Sequence, residues 1–212
     1  MKVFVGTPAH GPLEPESAYS FARLAAWLER TFGPEDVNWK WRIEARNPDQ
    51  SLARNCIAHQ FLESGFDVAL LIDRDSVYTP TDATLLLDAG EDVVGAMCKM
   101  KVPDSPWVGT VLPGDVNAKR ALVEMARIGF GMVSVSRHAM ATLAAASERI
   151  IPQSGVCAGQ AISRIFKPEV DPETLVPIGV DFAFCDRWRA LGGRVWMHTE
   201  ARIGHVGTHE FR

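Results

Sequence analysis

Residues 68–75 read Val68-Ala69-Leu70-Leu71-Ile72-Asp73-Arg74-Asp75. Five consecutive apolar residues closed by charge predict a short strand buried on both faces. The two carboxylates stand where that strand ends. Residues i and i+2 of a strand face one side, and at the carboxyl end of an open α/β sheet they can point into the crevice where such sheets bind ligands. Hard divalent cations take oxygen from one or two carboxylates and from substrate phosphates. The alternative is a solvated turn in which an Asp caps the next element, and the buried strand ahead of the pair favours a site.

Outward from this strand, helices and strands alternate. Residues 3–5 predict a strand, and 6–12 a loop rich in turn residues. Residues 15–32 carry Phe21, Leu24, Ala25 and Leu28 at helical spacing, and Gly33-Pro34 stops the helix. Residues 38–44 alternate as a strand. A helix is expected over 51–64, ended by Gly65. Pro80 opens another that runs through Leu87. Strands are expected at 92–96, 131–136 and 194–198, and helices at 137–146 and 181–191. Residues 101–118 read as an insertion or loop, and 152–179 as mostly irregular. The alternation argues for one α/β domain over 1–212, with a mostly parallel central sheet flanked by helices on both faces.

Composition narrows the classes. The chain has 212 residues, 47% of them hydrophobic, enough for one domain with a core. A net charge of -4 gives no support to binding along a nucleic acid backbone. No run approaches the roughly 20 apolar residues of a membrane span. Cys56, Cys98, Cys157 and Cys185 are scattered, without paired metal spacing. With no secretory pattern at the start, reduced thiols and a cytoplasmic location are the expectation. No Gly-x-Gly-x-x-Gly follows the first strand, and no Gly-x-Ser-x-Gly elbow is present.

A second acidic position lies near the C-terminus. Gly179-Val180-Asp181 opens an amphipathic helix with Phe184, Trp188 and Leu191 on its apolar face. The strand Val195-Trp196-Met197 and the segment Ile203-Gly204-His205-Val206-Gly207 follow.

Taken in order, these segments resemble the glycosyltransferases of the GT-A (nucleotide-diphospho-sugar transferase) fold, nearest in pattern to family 2. The matching positions are Asp73-Arg74-Asp75, then Gly179-Val180-Asp181 with Phe184, Arg187 and Gly192, then His205. Gly129-Phe130-Gly131 resembles the family's Gly-rich segment. The similarity runs along nearly the whole chain as short separated motifs.

The resemblance implies transfer from a UDP- or GDP-sugar to an acceptor hydroxyl, with Mn²⁺ or Mg²⁺. Residues 1–100 would form the nucleotide-binding half and 101–212 the acceptor side. Asp75 would bind the metal directly, Asp73 the ribose or a metal-bound water. His205 would add a third metal ligand, which suits Mn²⁺ better than Mg²⁺. His198 and His209 compete for that role, and a surface histidine in a Gly-flanked turn is the alternative. Thr7, Pro8 and Ala9 would surround the base, or form an ordinary turn. Arg74, Arg54 and Asn55 would reach the base or diphosphate, the alternative for the latter two being a solvated helix face.

Asp181 would be the general base of a single displacement with inversion. Its alternative is an N-cap, which favours the ionised form and lowers basicity. Val180 departs from the family, where an acid often stands, and Asp186 is the fallback base. Trp107 would stack on a sugar or pin its loop. Residues 167–180 would form a lid or a plain connector.

Two other functions fit parts of the pattern. A nucleotidyltransferase on a related fold would also need a metal and an acid pair, but residues 6–11 lack the Lys or Arg expected in its phosphate loop. A non-catalytic nucleotide-sugar-binding relative would tolerate Val180.

Overall fold

A computed structural model describes residues 1–45, 49–101, 105–114 and 117–206. In chain order the elements are β1 (Val3–Ala9), α1 (Pro15–Phe32), β2 (Trp39–Ala45), α2 (Gln50–Ser64), β3 (Val68–Ile72), β4 (Ser76–Val77), α3 (Pro80–Leu87), β5 (Val93–Cys98), β6 (Gly109–Val111), β7 (Ala118–Lys119), β8 (Leu122–Ile128), β9 (Met132–Ser136), α4 (Arg137–Ala145), β10 (Arg149–Ile150), β11 (Ile162–Ser163), β12 (Glu169–Val170), β13 (Pro177–Ile178), α5 (Val180–Ala190) and β14 (Val195–His205).

One sheet runs through both halves of the chain in the order β2-β1-β3-β9-β5-β14-β8-β6, with β4 paired to β14 and β7 to β8. Along that order β2, β1, β3, β5, β14 and β6 point one way, while β9 and β8 run against them. The sheet is therefore mostly parallel, with antiparallel strands set between parallel ones.

Strand alternation divides the core into two layers. Phe4, Leu71, Val93, Val133, Val135, Val195 and Met197 face α2, α4 and α5, where Ile57, Phe61, Met140, Leu143, Phe184 and Trp188 pack. Val3, Val5, Leu70, Ile72, Val94, Ala96 and Trp196 face the other way, onto Phe21, Leu24 and Leu28 of α1 and Leu86 of α3. β3 is thus covered on both faces, which is why its sequence is continuously apolar.

Three sequence expectations change. β1 continues to Ala9, so Thr7, Pro8 and Ala9 are strand rather than loop. β2 pairs along its whole length, but β3 accompanies it only to Gly6; beyond that point one side is an edge, where Pro8 needs no donor. β8 has no counterpart in the sequence reading, because Glu124 interrupts its alternation: it is buried, and it accepts from Asn117 at 2.6 Å and Arg189 at 3.3 Å. β14 runs on to His205, past an irregularity between His198 and Arg202. The 152–179 stretch is mostly irregular, as its composition predicts, apart from the two-residue β11 and the short hairpin of β12 and β13. Of the 101–118 insertion, residues 102–104 and 115–116 lie outside the described residues, as do Gly207 and His209.

Candidate active site

Past Ile72 the Asp73 N–H still donates to the carbonyl of Gly131, at 3.0 Å, in the register of the β3–β9 ladder. The Ser76 hydroxyl donates to the same carbonyl at 2.8 Å, and the Ser76 N–H closes a turn on the Asp73 carbonyl at 3.1 Å. β4 then pairs with the tail of β14, setting Ser76 opposite His205 and Val77 opposite Gly204. The Val206 N–H donates to the Asp75 carbonyl at 2.8 Å. Strand pairing alone therefore carries His205 from the end of the chain to the Asp73-Arg74-Asp75 turn.

α2 supplies the buried cation of the site. Its N-cap, Asp49, accepts from the Ser51 and Leu52 amides, and Gln50 and Arg54 lie one turn apart on a shared face. The Arg54 side chain is 3% exposed. Its Nη2 donates to Asp73 Oδ1 at 2.8 Å, its Nη1 pairs with Asp181 Oδ1, and Gln50 Nε2 reaches Asp73 Oδ1 at 3.4 Å. Burial opposes the Arg54 charge, but Asp181 and Asp73 outweigh it and hold its pKa above the ordinary range. Burial pushes Asp73 upward, against Arg54, and Asp181 and Asp75 push the same way.

Asp181 is not the helix cap. The N-cap of α5 is Gly179, and the second oxygen of Asp181 accepts the Phe130 N–H at 3.0 Å. Its side chain is 28% exposed and lines a cleft of about 450 Å³ with Gln50, Arg54, Pro177, Gly179, Val180 and Phe182. Asp186, the fallback base, points elsewhere and pairs with Arg127 of β8 at 2.8 Å.

Asp75 is held by a different cation: Lys101, beyond the end of β5, pairs with Asp75 Oδ2. Burial raises the Asp75 pKa, but Lys101 and His205 outweigh it and hold the carboxyl below its usual range. The His205 ring is fixed from β5. Its Nδ1 donates to the Lys99 carbonyl at 2.9 Å. The Cys98 sulfur sits 3.2 and 3.3 Å from the two ring nitrogens. Burial pushes the Cys98 thiol up to about 12, so it stays protonated.

Among the described residues no three His, Cys, Asp or Glu side chains converge as a ready metal cage. The donor types nevertheless suit a small divalent ion. Asp73 and Asp75 offer hard oxygens, and a backbone-anchored His205 presents one nitrogen, as metal-binding histidines do. Mg²⁺ and Mn²⁺ sites draw their remaining ligands from water and phosphate.

The other residues singled out in the sequence fall around this centre. Thr7, Pro8 and Ala9 are buried, and the Thr7 hydroxyl accepts from the Trp41 indole at 3.1 Å. Arg74 turns back to hold the loop after β1, donating to the Pro12 carbonyl at 2.6 Å. Asn55 faces away from the cleft and exchanges two hydrogen bonds with the Phe166 backbone, at 2.7 and 2.8 Å. Trp107 lies under the Lys99 ammonium, 5.5 Å from ring centroid to nitrogen, and forms an isolated antiparallel bridge with Lys99, just past the end of β5. His198 is buried away from this turn, beside Glu200. Residues 169–178 form the β12–β13 hairpin, whose end reaches the cleft at Pro177.

Sequence reasoning missed Lys101 and Gln50, and it singled out Gly129-Phe130-Gly131 without assigning the Phe130 amide to Asp181. Gln50 left a local signal in its position four residues before Arg54, and Lys101 left none.

No protein-family model matches the chain, and no curated protein matches it in sequence. Solved structures match in fold. A197 from STIV aligns with 100% of this chain and 97% of its own, at 14% identity and a TM-score of 0.54. GalNAc-T7, solved with UDP, GalNAc and Mn²⁺, aligns with 98% of this chain at 11% identity and a TM-score of 0.52. TarS 1–349 of S. aureus, in complex with UDP-GlcNAc, aligns with 100% of this chain at 13% identity and a TM-score of 0.50. The chain spans 44% of the GalNAc-T7 chain and 60% of the TarS chain. The fold is the α/β GT-A fold.

Proposed function

We propose that residues 1–212 form a single catalytic domain that transfers a sugar from a UDP- or GDP-sugar to an acceptor hydroxyl, with Mn²⁺ or Mg²⁺. One observation carries this reading. Asp73, from the first half, and Asp181, from the second, meet on Arg54 at the carboxyl end of β3, beside Asp75 and His205. That convergence supports one reaction centre on a fold shared with proteins solved with UDP or a UDP-sugar.

Asp75, Asp73 and His205 would hold the divalent ion, which as a Lewis acid would neutralise the leaving diphosphate. The end of β1 at Thr7–Ala9, with the loop that Arg74 secures, would frame the base. Arg54 acts through the two carboxylates, fixing Asp73 toward the donor and Asp181 toward the cleft. A carboxylate offers about four lone-pair sites. Asp181 therefore retains acceptor capacity beyond Arg54 and Phe130, and would take the proton of the attacking hydroxyl, giving inversion.

Calorimetric titration of UDP and GDP with Mn²⁺ tests the reading, with donor turnover measured alongside. Asp75→Ala should abolish metal-dependent nucleotide binding and transfer while the circular dichroism spectrum is unchanged. Unaltered turnover in that variant would sink the proposal.

A further inference from the structure

The two carboxylates of the Asp73-Arg74-Asp75 turn are held by cations of opposite character. Arg54 is buried and committed to Asp73 and Asp181 at once. Lys101 is 44% exposed and, among the described residues, is paired with Asp75 alone. It leaves the end of β5 just after Cys98 and Lys99, the residues that fix His205. An ammonium on a flexible four-carbon stem can exchange partners, whereas a guanidinium forked between two carboxylates cannot do so without leaving buried charge behind.

Charge arithmetic points the same way. Asp73, Asp75 and Asp181 against Arg54 and Lys101 leave one negative charge. Removing Lys101 would leave two, an open invitation to a divalent ion. With Lys101 in place, an arriving ion meets a like charge at the carboxylate it needs.

We propose that Lys101 is an exchangeable resident cation of Asp75. It occupies the carboxylate in the ligand-free protein, yields it to the divalent ion, and its released ammonium turns to the phosphates of the nucleotide donor. The inference rests on the function proposed above. It makes metal and nucleotide binding mutually reinforcing, because each favours the position of Lys101 that the other requires.

The test is Mn²⁺ titration, followed by the electron paramagnetic resonance of the free ion, with and without UDP or GDP. Wild type is compared with Lys101→Met, Lys101→Gln and Asp75→Asn. Both Lys101 variants should bind Mn²⁺ more tightly than wild type without nucleotide, by about two- to fivefold, the scale of a half-exposed ion pair. Both should also bind nucleoside diphosphate more weakly at saturating Mn²⁺. If Asp75→Asn loses Mn²⁺ and nucleotide but the Lys101 variants match wild type, exchange is overturned and the proposed function stands. If Asp75→Asn binds both as wild type does, the proposed function and the exchange fall together. If nucleotide binds without any metal and only Lys101 variants lose it, Lys101 is a fixed phosphate contact and exchange is overturned.

Discussion

Asp73 and Asp181 share one buried guanidinium. Asp73 ends β3 in the middle of the sheet and Asp181 opens α5, yet Arg54 of α2 donates to both. A lysine has the charge but not the planar fork that lets one side chain serve two carboxylates. Burying an ion costs several kcal/mol unless it is paired, so each member holds the other two in place. The relationship makes the site a rigid object before any ligand arrives.

Removing the shared cation should therefore unsettle the fold as well as the site. Arg54→Met is expected to cost about 3–5 kcal/mol in urea denaturation, the scale of breaking a buried pair. Combining it with Asp73→Asn and Asp181→Asn should recover much of that loss, because no unpaired charge stays behind. A single Arg54→Met within about 1 kcal/mol of wild type, the ordinary spread of point substitutions, would contradict the buried triad.

Asp181 and Asp186 lie on one helix but face different partners, so their substitutions should separate. Asp181→Asn is expected to lower kcat by about 10²- to 10⁴-fold, the usual reach of general-base catalysis, with nucleotide affinity retained. Asp186→Asn should leave turnover near wild type and cost only its partly exposed pair with Arg127, about 0–1 kcal/mol. Equal kinetic losses in the two variants would remove Asp181 from its role.

Gly131 keeps room for His205. A Cβ there would stand 2.8 Å from Ile203 Cδ1, 3.1 Å from His205 Nε2 and 3.3 Å from Cys98 Sγ. Gly131→Ala should cost about 1–3 kcal/mol by overpacking and weaken Mn²⁺ binding by displacing the imidazole. Adding Ile203→Val removes the nearest atom, so it should restore stability but leave Mn²⁺ affinity reduced. Full Mn²⁺ affinity in Gly131→Ala would show that His205 is not part of the cation site.

His198 should make stability fall in mild acid. Burial lowers its pKa from the ordinary 6.5, more strongly than Glu200 raises it, and its Nδ1 accepts the Glu200 N–H at 3.3 Å, which requires a neutral ring. The unfolded chain protonates near 6.5 while the folded chain resists, so the unfolded state binds more protons. This part of the stability is present above 6.5 and is lost as pH falls toward the folded value, with a slope of at most about 1.4 kcal/mol per pH unit. His198→Gln should flatten that segment of the curve measured by urea denaturation from pH 7.5 to 5. An unchanged slope would place the proton uptake elsewhere.

The carboxylate pair was legible because its signal is local. A strand buried on both faces announces itself as an apolar run, and the charges after Ile72 mark its end. The helix of Asp181 was legible for the same reason, through the spacing of Phe184 and Trp188. β8 was hidden because Glu124, buried and paired, breaks the alternation by which strands are read. The roles of Arg54 and Asn55 were hidden too. Adjacent on α2, they point in different directions, one to the cleft and one to the Phe166 backbone, and helical spacing alone does not say which face meets the cleft.

The residues by themselves determined which segments coil, which extend, and where acids stand relative to strand and helix ends, because periodicity and capping act over a few neighbours. Only the tertiary structure decided that Arg54 serves two acids, that β4 and β14 bring His205 to Asp75, and that Lys101 occupies Asp75. Those meetings join distant parts of the chain, and they follow from the order of strands in the sheet, which long-range packing selects.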